Sequence, residues 1–192
     1  MIRLKDIALS EKLLKAGDRS EIEKLIDGYS DPIYRIGLNI TGNAQDADDV
    51  LQETIIKVLR NIASFQGKSS LYTWIYRIAV NESLMLLRKG KKVETSIDEE
   101  AEGSPTPLEI RSWDPLPEES VIRSETKAKL DDAIKQLSEK LRVVFVLRDM
   151  QDMSILETAR ILDVSEEVVK VRLLRARLAL REILTGYFSE TR

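Results

Sequence analysis

Two short apolar stripes with helical spacing, separated by a brief interruption, constrain the fold of this chain more than any other feature. The first stripe consists of Ile155, Ala159 and Leu162. The second stripe has the same period and comprises Val169, Leu173, Ala176 and Leu180. Spacings of three, four and seven residues place each set on one face of a helix, so the two helices can bury these faces against each other. Residues 137–184 are therefore predicted to contain a helical hairpin with a tight turn.

The interruption and the second helix have the residues of a helix-turn-helix DNA reader. Asp163 tolerates a left-handed backbone better than most residues other than glycine, and Ser165 can cap the helix that follows. That helix carries four arginines, Arg172, Arg175, Arg177 and Arg181. A cationic helix after a tight turn is typical of such readers. An ordinary helical hairpin has the same spacing, so the spacing alone leaves both interpretations open.

The composition excludes most enzyme classes. The chain has no cysteine and no histidine, which removes thiolate nucleophiles, histidine general bases, the usual zinc sites and disulfide bonds. Its carboxylates stand beside lysines and arginines on predicted helix faces rather than in the apolar surroundings that tune a catalytic acid. We therefore expect no catalytic residue, no metal site and no cofactor.

Hydropathy predicts a globular protein of the cytoplasm. Apolar residues make up 43% of the 192 residues, which is enough to bury a core in one or two small domains. No apolar run approaches the roughly 20 residues of a membrane span, and residues 1–6 lack the apolar block of a signal peptide. We therefore expect no membrane span.

Acidic charge is concentrated in one segment of the chain. Between Val93 and Thr126 lie ten acidic and two basic residues, so this segment carries −8. Because the net charge is −3, the rest of the chain carries +5. Four of the five prolines also lie here, and no helical or alternating period is sustained. The segment is predicted to be a linker, either a plain solubilising tether or a mimic of nucleic acid that covers basic surfaces.

Helical periods continue throughout the segment before this linker, and nothing there resembles a strand. Turn signals at Gly17–Asp18, Ser30–Pro32, Thr41–Asn43 and Gln66–Lys68 divide it into helices. Asp31 and Pro32 are expected to form the cap and first turn of a separate helix. The predicted fold is all-α, with two small helical domains (1–92 and 127–192) joined by the acidic linker 93–126.

Two predicted helices of the first domain have distinctive faces. One exposes an acidic face that an ordinary solvated helix also explains, namely Asp48, Asp49, Gln52 and Glu53. The next, 71–92, mixes aromatic and cationic residues, among them Tyr72, Trp74, Tyr76, Arg77, Arg88 and Lys89. Aromatic faces stack on unstacked bases and cations hold phosphates, so this helix suits single-stranded nucleic acid. Trp74 and Tyr76 could equally belong to the core.

Together these elements resemble the extracytoplasmic-function group of bacterial sigma factors. The resemblance rests on residues 46–54 (DADDVLQET), 74–81 (WIYRIAVN) and 169–177 (VKVRLLRAR), in that order, with the acidic linker between the last two. It covers nearly the whole chain. It implies a dissociable specificity subunit of RNA polymerase, made of a region 2-like helical bundle and a region 4-like helix-turn-helix domain. Many members of the group are held inactive by an anti-sigma factor, which is a possible further partner.

The resemblance also implies roles for individual residues. Core RNA polymerase would be bound through Asp48, Asp49, Gln52 and Glu53. The −10 promoter element would be recognised and melted by Phe65, Lys68, Ser69, Tyr72, Trp74, Arg77, Asn81, Arg88 and Lys89. The −35 element would be read by Ser165, Glu166, Lys170, Arg172, Arg175 and Arg177. Polymerase, rather than this chain, would perform the chemistry.

The recognition helix departs from the pattern of the group, since Val171, Leu174 and Leu178 lie opposite the stripe that should be buried. Such residues can contact thymine methyl groups but cannot form bidentate hydrogen bonds with bases. We hypothesise that this outward face serves both DNA and a partner protein.

Two rival interpretations remain open. The first is a helix-turn-helix regulator that binds DNA without polymerase, and it predicts an α/β ligand or phosphoacceptor domain before the reader. The second is a helical adaptor with no role at DNA, and it predicts no need for arginines beside aromatic residues. Binding to core polymerase and to DNA alone distinguishes the three.

Overall fold

The computed structural model describes residues 9–91 and 120–189, and within these two ranges the chain is all-α, with eight helices and no strand. The first range contains α1 (Glu11–Lys15), α2 (Arg19–Thr41), α3 (Ala44–Asn61) and α4 (Leu71–Lys91). A single 3₁₀ turn, Ile62–Ser64, follows α3. The second range contains α5 (Ser120–Gln136), α6 (Glu139–Phe145), α7 (Ile155–Leu162) and α8 (Glu166–Ser189). A π-helical turn, Val146–Met150, continues α6. The all-α prediction is confirmed.

Three of the predicted turn signals in the first half mark helix boundaries. Asp18 accepts a hydrogen bond from the backbone N–H of Glu21 and caps α2. Gly42 ends α2 with a left-handed backbone (φ 74°), and Asn43 caps α3. Gly67, also left-handed at φ 68°, lies in the loop before α4. Between these boundaries α2, α3 and α4 pack together as a bundle.

The predicted break at Ser30–Pro32 is wrong, because Pro32 lies inside the continuous helix α2. A proline in a helix lacks one N–H donor and its ring crowds the carbonyl four residues earlier, which here belongs to Gly28. The hydroxyl of Ser30 donates to the carbonyl of Ile26 at 2.6 Å and satisfies a backbone acceptor in the same turn. Burial of Tyr29, Ile33 and Ile36 on both sides of the proline then holds α2 together.

The second half forms the predicted helix-turn-helix. Ser154 and Glu157 form a reciprocal capping box at the start of α7. Asp163 ends α7 in the left-handed region at φ 56°, and the Ser165 hydroxyl accepts from the backbone N–H of Val168 at the start of α8. The apolar stripe of α8 is buried as predicted.

The acidic segment largely lies outside the described residues, which resume at Ser120. Helix α5 begins there, so residues 120–126 of the predicted linker are helical. Residues 120–126 contain no proline, so no residue of this part lacks the backbone N–H that a helix requires.

The two halves share one hydrophobic core. Val143, Val146, Leu147 and Met153 of the second half belong to the same buried cluster as the isoleucines of α2 and α4. Ile161 of α7 joins them. At the edge of this contact the Arg88 guanidinium donates to Glu139 at 2.9 Å. The halves therefore meet through packed apolar side chains as well as surface charge.

Arg142 of α6 links the halves at the centre of this contact. Its side chain is only 3% exposed, and its Nη1 donates to the carbonyl of Ile40 at 2.8 Å, near the end of α2. Its Nη2 donates to the carbonyls of Lys135 and Leu137, where α5 ends. Burial lowers the pKa of Arg142, and the nearby Glu139 carboxylate opposes this shift.

We expect Arg142→Leu to lower the free energy of unfolding by about 2 kcal/mol, because it leaves three carbonyls with fewer donors in a buried site. Arg88→Leu is the matched control, since Arg88 also joins the halves but is exposed, and exposed pairs contribute about 0–1 kcal/mol. Urea unfolding monitored by circular dichroism measures both. Equal losses from the two variants would contradict the central role of Arg142.

Candidate nucleic-acid interface

Helix α8 has one buried and one outward face. The buried face has two parts. Val169 and Leu173 pack against α6 and α7, and Ala176 and Leu180 pack against α5. On the opposite side Val171 is 38% and Leu178 is 40% exposed, and Leu174 is partly exposed. The predicted apolar outward face is therefore present and is not covered by the first half. An apolar strip beside cations can meet the methyl edge of thymine or an apolar partner surface.

The polar residues predicted for the −35 element differ in their availability. Lys170 is exposed near the start of α8, whereas Arg172 and Arg175 are partly buried. Ser165 and Glu166 lie at the N-terminus of the helix, and Ser165 is engaged as its cap. The cations and the helix N-terminus together form a surface that can hold phosphates and base edges.

Arg177 is engaged within the second half. Its Nε and Nη2 donate to both carboxylate oxygens of Asp149 at 2.8 and 2.7 Å. This hydrogen-bonded pair raises the pKa of Arg177. Arg177 therefore fixes α8 against the π-helical turn in this arrangement, and sequence reasoning gave no indication of that contact.

The loop before α4 is fastened to the bundle by Phe65. This ring is buried and lies 5.1 Å from the ring of Trp74, centroid to centroid. Lys15 donates to the carbonyl of Phe65 at 2.7 Å, and its ammonium lies over the ring. Phe65 is thus a core residue, while Lys68 and Ser69 of the same loop remain accessible. Ser70 accepts from the backbone N–H of Thr73 and begins α4, a cap that sequence reasoning missed.

One face of α4 carries four of the nine predicted −10 residues. Intervals of three, four and seven residues place Trp74, Arg77, Asn81 and Arg88 on this face. Asn81, Arg88 and Lys89 are exposed, and Trp74 is partly exposed. An amide, cations and an aromatic ring in one line can bind bases and phosphates along a single strand.

Helix α7 covers the first turns of α4. The Arg77 Nη2 donates to the carbonyl of Arg160 near the end of α7. Burial, reinforced by the Glu157 carboxylate of α7, raises the pKa of Tyr72 to about 12. Tyr72 also packs on the buried Tyr76, with ring centroids 4.4 Å apart. Arg77 and Tyr72 are therefore engaged between the halves in this arrangement.

The acidic face of α3 is fully accessible. Asp48, Asp49, Gln52 and Glu53 are all exposed, as the sequence predicted, and the exposed Ile56 extends the same face. Among the helices of residues 9–91 and 120–189, none has the apolar length of a membrane span. No group of three or more acidic side chains in these ranges is arranged to hold a metal ion.

Comparison with known families identifies both halves of the chain. The family model described as Sigma-70 region 2 matches residues 25–93, and the model described as Sigma-70, region 4 matches residues 127–180. The two matches correspond to the bundle of α2, α3 and α4 and to the domain that contains α5 to α8.

Several curated relatives align with most of the chain. The ECF RNA polymerase sigma factor SigW of Bacillus subtilis is 35% identical over 176 residues, which cover 90% of this chain and 94% of SigW. The ECF RNA polymerase sigma-E factor of Haemophilus influenzae is 34% identical and covers 91% of this chain and 93% of its own length. The RNA polymerase sigma-H factor of Pseudomonas aeruginosa is 32% identical, with coverages of 92% and 93%.

Two solved structures share the fold at 20% sequence identity. CnrH in complex with the cytosolic domain of CnrY superposes with a TM-score of 0.68 and covers 92% of this chain and 95% of that chain. The sigma factor RpoE of Bartonella quintana in complex with the anti-sigma factor NepR gives 0.63, with coverages of 86% and 98%. These likenesses support the two-domain helical fold.

The left-handed residue of the helix-turn-helix provides a stability test. We expect Asp163→Gly to keep or raise the free energy of unfolding by up to about 1 kcal/mol, since glycine adopts a positive φ without strain. Asp163→Val should lower it by about 1–2 kcal/mol, because a β-branched residue is strained there. Thermal and urea unfolding of both variants measure the difference. A valine variant as stable as the glycine variant would show that the turn has relaxed to another conformation.

Proposed function

Because this chain belongs to the extracytoplasmic-function group of the sigma-70 family, we propose that it binds core RNA polymerase and directs it to a specific set of promoters. The alignment with sigma factors over about nine-tenths of both chains carries this proposal, since it includes both helical halves in their order. Sigma factors are transcription initiation factors that are not themselves enzymes. Catalysis therefore belongs to the polymerase, and the site of action is the cytoplasm.

The acidic face of α3 is the proposed contact for core polymerase. Its four residues are accessible and lie outside the contact between the halves. Their charges and amide can bind basic and polar residues of a partner, and complementary charges of this kind steer association and fix the register of an interface. This assignment gives the exposed Asp48, Asp49, Gln52 and Glu53 a common role.

The outward face of α4 is the proposed contact for the −10 element. Asn81 can hydrogen-bond with a base, Trp74 offers part of a ring for stacking, and Arg88 and Lys89 can bind phosphates. Lys68 and Ser69 of the preceding loop complete this surface, to which Phe65 contributes by fixing the loop. For Arg77 and Tyr72 to reach DNA, α7 must first move away from α4.

The start of α8 is the proposed reader of the −35 element. The N-terminus of a recognition helix enters the major groove, which places Glu166, Lys170 and Arg172 near base edges and phosphates. The limited number of cations makes this a weak module when alone, because affinity for DNA scales with the phosphates neutralised. Attachment of both modules to one polymerase raises their effective concentration at the promoter.

Regulation by an anti-sigma factor is part of the proposal. The solved relative RpoE was crystallised with its anti-sigma factor NepR, and this chain has the same fold. The outward strip of α8 is apolar and accessible, as a protein-binding surface requires. We propose that the same strip contacts thymine methyl groups on DNA and an anti-sigma factor off DNA.

The function is tested by mixing the full chain with sigma-free core polymerase and fragmented genomic DNA, then sequencing transcript 5′ ends. We expect starts clustered downstream of a shared two-part motif. Specific binding of promoter DNA by the chain alone, without dependence on core, would instead support the helix-turn-helix regulator. Binding of neither DNA nor core would support an adaptor.

Replacing one exposed cation of α8 tests the proposed −35 surface. Lys170→Ala should reduce transcription from the identified promoters about five- to tenfold, consistent with the loss of one charge-assisted contact of about 1–1.5 kcal/mol. Arg181→Ala is the matched control, since it is exposed on the same side of α8 three turns further on. Equal effects of the two substitutions would contradict a reading surface confined to the start of α8.

Two substitutions on the outward strip test its dual role. The double variant Val171→Asp/Leu174→Asp should lose −35-dependent transcription and also capture of an anti-sigma factor in a co-expression pull-down, because two carboxylates oppose both DNA and apolar contacts. Thermal unfolding close to that of the wild type confirms the fold. A variant that keeps partner capture would contradict the second role.

A further inference from the structure

Phe65 is held at three separate points, and one of them comes from α1. Its ring is buried against Trp74 of α4, with the ring centroids 5.1 Å apart. Its backbone N–H donates to the carbonyl of Ile62 at 3.1 Å. Its carbonyl accepts from the Nζ of Lys15 at 2.7 Å, and the same ammonium lies 5.8 Å from the centre of the ring. Lys15 therefore connects α1 to the residue from which the loop before α4 departs.

The other end of this loop is fixed by the start of α4. The Ser70 hydroxyl accepts from the backbone N–H of Thr73 at 3.1 Å, and Leu71 is buried. Residues 66–69 lie between the two anchors and are exposed or partly exposed. Gly67 among them has a left-handed backbone, and a Cβ there would meet open space. A short segment with both ends fixed has fewer conformations than one with a free end, so the position of the tip depends on the anchors.

Helix α1 is itself anchored to the bundle, which allows Lys15 to act as a support. Leu14 is 2% exposed and belongs to the same buried cluster as Phe65. The Ser10 hydroxyl caps α1, and the Ser10 backbone N–H donates to the Glu21 carboxylate of α2 at 2.7 Å. A lysine side chain is flexible, so its hydrogen bond restrains a loop only when the lysine backbone is fixed. Burial of the neighbouring Leu14 meets this condition.

A fixed loop matters for recognition because an unstacked base is read by groups that must keep their positions. Lys68 and Ser69, which belong to the proposed −10 surface, lie near the tip of this loop. If the loop can shift, its polar groups can follow a wrong base, and the difference in binding free energy between the right and the wrong base becomes smaller. A loop that is already ordered also loses less entropy on binding. Both effects tie specificity at the −10 element to the anchors of the loop.

We propose that Lys15 of α1 is a positioning residue for recognition of the −10 element. Through the Phe65 carbonyl it holds residues 66–69 in the conformation that accepts one base and rejects others. The inference rests on the proposed function, because it takes this loop as part of the −10 surface. It gives α1 a role in the choice of promoter that requires no contact between α1 and DNA.

The anchor can be tested without DNA through the fluorescence of Trp74. Trp113 is the second tryptophan of the chain, and a Trp113→Phe background removes its signal. In that background Lys15→Met removes the donor and keeps an unbranched side chain. It should raise the acrylamide quenching constant of Trp74 about twofold, because a loosened Phe65 covers the indole less persistently. Lys12→Met is the matched control, since Lys12 is an exposed lysine of the same helix, and it should leave quenching unchanged.

The effect on promoter choice is measured by initiation with sigma-free core polymerase at promoters identified for the wild type. Each promoter is compared with templates that carry one substituted base in the −10 or the −35 element. Lys15→Met should lower the preference for the original base at one −10 position about three- to fivefold, consistent with the loss of one accessible hydrogen bond. Preferences at −35 should stay within about twofold, since α8 is distant from the loop. Lys15→Arg should restore the −10 preference, because a guanidinium can donate to the same carbonyl.

The outcomes separate this inference from the proposed function. If the wild type initiates at shared promoters while Lys15→Met keeps its −10 preference or its Trp74 quenching, the inference is overturned and the proposed function stands. Equal losses at −10 and −35 would also overturn it, because they indicate general destabilisation. A Lys15→Arg variant as indiscriminate as Lys15→Met would overturn it too, since donation to the Phe65 carbonyl would not be the cause. If the wild type directs no specific starts with core, the proposed function and the inference fall together.

Discussion

The buried guanidinium of Arg142 determines how the two halves of this protein meet. It lies within α6, beside the ends of α2 and α5, and it donates to carbonyls from both halves. A buried charge is costly by itself, so its contribution depends on hydrogen bonds that satisfy the carbonyls at these helix ends. The apolar residues of α6 and of the π-helical turn can then pack on the bundle. Loss of these donors would leave a set of unpaired groups in the centre of the interface.

The features of this fold that depend on residues close together in the sequence were predictable, whereas contacts between distant residues were not. Periodicity and caps are local, so the helices of both halves, the left-handed Asp163 and the outward strip of α8 were predictable. Pro32 was misjudged because a local helix-breaking signal was outweighed by burial on both sides of it. The contacts of Arg142 with Ile40 and of Lys57 with Glu82 join residues 102 and 25 positions apart, and no local pattern encodes them.

The arrangement of the halves bears directly on when the proposed DNA-binding surfaces can act. Asn81, Arg88 and Lys89 are accessible, whereas Arg77 and Tyr72 are held under α7. If these residues bind the promoter as proposed, the promoter must compete with an interface built of apolar packing, the Arg142 contacts and the Arg88–Glu139 pair. Neither DNA module has enough cations to supply that free energy alone. Polymerase bound at the proposed α3 face alone would not separate the halves, since that face is equally available in both arrangements. It would instead raise the effective concentration of both proposed DNA-binding modules at the promoter.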